Sequence, residues 1–134
     1  MIVYRPSDRI AVKVGELTVW ISPLSYEEKT NLLSTTKMVG GKAVSDAGKM
    51  SYLTLKYSIK KVEGLESCKF ADGSPCTMEF GADGYPTDES LETLLAIFGN
   101  TTSAQLSSSL VLGNYKNTSI EGVEFIGPES KKKH

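Results

Sequence analysis

Histidine is nearly absent from this chain: of 134 residues only the last, His134, is one. Catalytic triads, Cys–His pairs and histidine zinc sites need an imidazole fixed on a rigid element, and a terminal residue does not supply one. Cysteine is scarce too, limited to Cys68 and Cys76. Two thiols without a further Cys or His pair do not make a zinc site. In a reducing compartment they read as free thiols, while their positions either side of the turn signal Asp72-Gly73 leave a cross-strand disulfide open. An excess of one charge is also missing. Fifteen basic and 16 acidic residues give a net charge of -1, which removes the footprint of a nucleic-acid binder and gives no reason to expect a membrane-surface protein. Aromatic residues make up 8% and are not interleaved with Arg or Lys on one strand, as a base-stacking platform requires. No apolar run is long enough to span a bilayer. The start, Met1 to Arg9, lacks the apolar region of a signal peptide, so the expected compartment is the cytoplasm. With no secretion signal, the glycosylation triplets at Asn100 and Asn117 read as chance.

What is present is ordinary globular composition, with 40% hydrophobic and 23% charged residues. The length suits one domain, which at this size buries roughly two-thirds of the surface of its unfolded chain. Ile10, Val12 and Val14, then Leu17, Val19 and Ile21, alternate about Gly15-Glu16 and predict a hairpin with one buried face. Trp20 falls on the opposite face, either covered by a neighbouring element or available as an anchor for a partner. Ser25-Tyr26-Glu27-Glu28 is a capping box and opens a helix from Tyr26 to Met38, stopped by Gly40-Gly41. Val39 to Lys49, rich in Gly, Ala, Ser, Lys and Asp, reads as a loop. It is not a phosphate loop, because Ala43 follows Gly41-Lys42 and Thr36 stands where the first glycine is needed.

Met50 to Val62 carries two periods at once. Leu53, Leu55, Tyr57 and Ile59 alternate like a strand, while Tyr52, Leu55, Ile59 and Val62 share a helical face. Length favours a helix ending before Gly64. Leu65 to Phe80 predicts a second, shorter hairpin about Asp72-Gly73, confined to an edge by Pro75. Thr87-Asp88-Glu89-Ser90 caps a helix whose Leu91, Leu94, Leu95 and Phe98 form a core-facing stripe. Thr102 to Leu112 predicts a fourth helix with Leu106, Leu110 and Val111 on one side. From Tyr115 the chain turns polar. The reading is therefore an α+β domain over 1–114, with an N-terminal β-hairpin, a second short hairpin and about four helices, followed by a flexible tail over 115–134 with an apolar patch at Val123, Phe125 and Ile126.

Catalytic carboxylate pairs do not stand out. Glu27, Glu28, Asp88 and Glu89 serve helix starts, and Asp72 and Asp83 precede glycines in turns. No enzyme, metal site or cofactor is expected.

Three stretches, Leu53 to Leu65 with its Glu63-Gly64-Leu65 ending, the turn Ala71-Asp72-Gly73-Ser74-Pro75, and Pro86 to Leu95, follow one another in an order that resembles the tail assembly chaperones of long-tailed, siphovirus-type bacteriophages. The likeness spans roughly Ile10 to Leu112. It implies a cytoplasmic protein of the bacterial host that is absent from the finished particle. Such a protein coats the helical, apolar tape-measure protein and keeps it soluble. Its longer form, produced by a ribosomal frameshift, recruits tail-tube subunits. Lys131, Lys132 and Lys133 fit a slippery run of adenines, or equally a solvated basic tail. Coating implies an exposed apolar surface and self-association; Trp20, Leu106 and Leu110 are the residues expected to carry it, unless they are core. The rival readings are a structural tail or connector subunit, a small enzyme with a site of Asp, Glu, Lys and Ser, and a regulatory domain that binds a host protein.

Overall fold

Two strands, β1 (Ile10–Val14) and β2 (Leu17–Ile21), pair antiparallel in the register Ile10↔Ile21, Val12↔Val19 and Val14↔Leu17. Opposed residues share a face, so all six aliphatic side chains are brought to one side of the hairpin and buried there. In the computed structural model, which describes residues 4–34, 36–111, 113 and 120–128, this hairpin is the middle of a four-stranded antiparallel sheet. The outer strands are β5 (Ile59–Glu63) beside β2 and β6 (Val123–Pro128) beside β1, in the order β5-β2-β1-β6.

The helix opened by the capping box, α1 (Tyr26–Leu33), starts as expected: Ser25 Oγ accepts from the Glu28 amide, and Glu28 Oε1 accepts from the Ser25 amide. It stops at Leu33, before the expected Met38. The chain instead forms β3 (Thr36–Val39) and β4 (Lys42–Ser45), a two-stranded sheet of its own. Gly40 and Gly41 both have positive φ, 58° and 80°, which is what a two-residue turn matched to the strand twist demands. The glycine pair that reads as a helix stop is a hairpin tip, and the expected loop over Val39 to Lys49 holds a strand and a helix start.

The helix expected over Met50 to Val62 ends at Ser58: the alternating Leu53, Leu55 and Tyr57 lie within it, while Ile59 and Val62 of the helical face lie in a strand. Helix α2 (Ala47–Ser58), capped by Asp46 Oδ1 on the Lys49 amide, runs straight into β5. The Ser58 carbonyl accepts from the Ser22 amide at 2.9 Å, tying this junction to the end of β2. Gly64, at φ 99°, then turns the chain into a single 3-10 turn, Leu65–Ser67. About Asp72-Gly73 there is no continuous hairpin, only the antiparallel bridge Lys69↔Pro75. The short hairpin of this fold is β3–β4. Helix α3 (Asp88–Phe98) begins at the Thr87 cap and buries Leu91, Leu94 and Phe98; α4 (Asn100–Val111) follows it directly and buries Leu106 and Leu110.

These helices supply the other half of one core. Leu55, Leu91, Leu94, Phe98, Leu106 and Leu110 pack with the aliphatic face of the β1–β2 hairpin. Ile120 and Val123 join them, which corrects the expected domain boundary: residues 120–128, assigned to a flexible tail, include the fourth strand of the sheet. The register slips between Ala11 and Val12, where Ile126 is the extra residue. This bulge turns Ile126 outward, 57% exposed. Lys131, Lys132, Lys133 and His134 lie outside the described residues.

Candidate protein-binding surface

The side chains expected to bind a partner divide. Leu106 and Leu110 are 0% and 3% exposed. They are core, so neither offers a surface in this state, and the large apolar residue of α4 that is exposed is Val111. The helix is turned so that its leucines and serines meet α2, with Ser51 Oγ and Ser107 Oγ 2.8 Å apart. Small side chains allow the two helices to approach, and a groove of about 350 Å³ lined by Met50, Thr54, Ala104, Ser108 and Val111 remains between them.

Trp20 sits on the sheet face opposite Val19 and Ile21, between Ala11 and Lys61 of the neighbouring strands, and is half-buried. Its Nε1 is enclosed without a hydrogen-bond partner. The Glu63 carboxyl is the charge it faces: Lys61 first, then the indole N–H, hold that carboxyl below its usual range, although the N–H falls short of hydrogen-bond geometry.

The largest apolar exposure lies elsewhere, in residues that patterning assigned to the helix from Tyr26 to Met38 and the first residue of the loop after it. Tyr26 and Leu33 of α1 are 86% and 70% exposed, and Met38 and Val39 at the tip of β3 are 71% and 60% exposed. Tyr26 and Leu33 stand seven residues apart, on one face of α1, while Glu28 and Leu32 point inward on another. Inward Glu28 anchors the helix. Its second oxygen accepts from Tyr85 Oη at 2.6 Å. The Tyr85 ring lies 5.1 Å from that of Tyr57, with the Lys60 ammonium 5.4 Å above it. Donation to Glu28 first, and burial second, push the Tyr85 phenol well above its usual value, so it stays a proton donor in a structural tie. A second tie joins α2 to α3. Tyr52 Oη donates to Asp88 Oδ1 at 2.7 Å, and Lys56 Nζ lies 3.7 Å from the same oxygen. Burial and the Asp88 hydrogen bond raise Tyr52 to about 12, and Tyr52 first, then Lys56, lower Asp88.

With its inner face fixed this way, α1 holds its outer apolar side chains in water, and the glycine turn sets two more at the end of a free-standing hairpin. Such exposure can bind an apolar helix or sheet face. Sequence carried one signal for it, the Gly40-Gly41 pair flanked by residues able to form strands. Among the described residues no group of three or more His, Cys, Asp or Glu could hold a metal ion, and no helix is long and apolar enough to cross a membrane. Comparison with protein-family models, with curated proteins and with solved structures gave no match.

Proposed function

We propose that this protein is a tail assembly chaperone of the kind used by long-tailed bacteriophages, acting in the cytoplasm of the bacterial host without a catalytic step. In this reading it binds the tape-measure protein, keeps it soluble and helps recruit tail-tube subunits through a longer, frameshifted form. The observation that carries the reading is the concentration of exposed apolar side chains in Tyr26, Leu33, Met38 and Val39. A tape-measure segment is helical and apolar, and a surface of this kind shields it by covering its apolar face. The order of the Glu63-Gly64-Leu65 phrase, the Asp72-Gly73 turn and the acid-capped α3 supports the same reading by resemblance.

The rival reading, a structural tail or connector subunit, needs extended contacts between copies. Strand addition at β5 is a poor route to them, because Lys60, Lys61 and Glu63 lie along that edge and charged edge strands resist pairing. The deciding experiment is co-expression with the tape-measure protein of the same gene neighbourhood. The wild-type chain should keep it soluble and co-purify in many copies, and the double variant Leu33→Asp, Met38→Asp should lose it while melting at the wild-type temperature. If the tape-measure protein precipitates equally with and without this chain, the proposal fails. Ring formation in solution, together with presence of the chain in purified particles, would favour the structural subunit.

A further inference from the structure

The bridge Lys69↔Pro75 is flanked by two backbone hydrogen bonds, Phe70 N to Ser74 O at 2.8 Å and Cys76 N to Cys68 O at 3.0 Å. That pattern places Cys68 directly opposite Cys76, one register step from the bridge. Opposed residues of an antiparallel pair send their side chains to the same face. Burial agrees: Cys76 is part of the core, Cys68 packs against it, and the same α3 residue, Ile97, lies beside both, lining one cavity with Cys68 and another with Cys76. Directly opposed antiparallel residues have Cα atoms about 4.5–5.5 Å apart, inside the roughly 4.4–6.8 Å that a disulfide spans. The two thiols are free, and neither has a part in the proposed binding surface.

We propose that Cys68 and Cys76 are a reversible dithiol–disulfide pair, a clasp that closes the 68–76 turn against α3 when a small-molecule disulfide such as oxidised glutathione is present. Cys76 is 6% exposed. Cys68 is half-buried and borders an open cavity of about 460 Å³ with Glu16, Thr102 and Glu121, so Cys68 is the thiol of the two that oxidant reaches first. Its thiolate attacks one glutathione sulfur, forming Cys68–S–SG and releasing one glutathione thiolate, which takes up the proton. The Cys76 thiolate then attacks the Cys68 sulfur, expelling the second glutathione. Two protein S–H bonds are lost, one protein S–S bond forms, and oxidised glutathione is reduced to two glutathione thiols. A reducing glutathione pool runs the same steps backwards.

The test titrates the full chain with mixtures of reduced and oxidised glutathione, in buffer and in urea that unfolds it, quenches with acid, and caps remaining thiols with N-ethylmaleimide. Trypsin cuts after Lys69, so the closed form appears as two linked peptides. The folded chain should close at an oxidised-to-reduced ratio at least tenfold lower than the unfolded one, and Cys76→Ser should stop at the glutathione adduct on Cys68. Equal closure in folded and unfolded chain, or a folded wild type that halts at glutathione adducts, would overturn the proposal.

Discussion

Replacing Leu106 by alanine separates a core helix from a binding helix. Leu106 is 0% exposed and packs with Leu55, Leu94 and the β1–β2 face. A Leu→Ala change in such a site costs about 2.7–5 kcal/mol, the transfer term plus the cavity left behind. The unfolding entropy is about 2.1 cal/mol/K per residue near 60 °C, so 134 residues give about 0.28 kcal/mol/K. The expected drop in Tm is therefore about 10–18 °C. Val111 is 42% exposed on the same helix, and its alanine variant should stay within about 0.5 kcal/mol of wild type, as surface substitutions do. Thermal unfolding by circular dichroism, checked by urea titration at constant slope, reads both. A Leu106→Ala protein that melts within about 3 °C of wild type, less than about 1 kcal/mol by the same conversion, would show that the α4 leucines are not core and would return them to the surface.

Gly64→Ala should be costly for a different reason. A Cβ there would stand 2.9 Å from the Glu16 carbonyl oxygen at φ 99°, so the loss should exceed that of Gly84→Ala, which is also at positive φ but faces open space; paired melts compare them. Tyr52 gives a pH signature. Its folded value of about 12 exceeds the ordinary 10.0, so its contribution is complete below pH 10 and is lost as pH rises from 10 toward 12. The urea midpoint of wild type should approach that of Tyr52→Phe over this window, and a gap that stays constant would dismiss the Asp88 tie as its source.

Sequence patterning found the elements whose period is set by a single neighbour. The β1–β2 hairpin was legible because six aliphatic residues alternate on both sides of one turn. The α3 stripe was legible because Thr87 and two acids mark its start. Patterning failed where two signals overlap or the partner is distant. Gly40-Gly41 ends a helix as readily as it turns a hairpin, and only the shortness of α1 decides between them. In Met50 to Val62 both periods run across the junction at Ser58, where the chain passes from helix to strand with no glycine or proline to mark it, so reading one helix misplaced the boundary. Strand β6 was invisible because Val123 and Phe125 sit among polar and glycine residues, and their pairing with β1 lies more than a hundred residues back. Patterning placed Trp20 correctly on the sheet face opposite Val19 and Ile21, where it is half-buried. It left the α4 leucines open between surface and core because one stripe of leucines looks the same whether it faces a partner or the protein's own α2 and sheet.

The place of β6 also sets an order of events during synthesis. Strand β1 leaves the ribosome more than a hundred residues ahead of Val123–Pro128, the strand that covers its outer edge. At about 5–20 residues per second, that edge waits on the order of 5–20 s. Throughout that interval Ile10 to Val14 present unpaired backbone groups, which template pairing with other chains. Each nascent copy thus carries an open edge until its own β6 exists, and on a crowded polysome that edge is available to neighbouring chains.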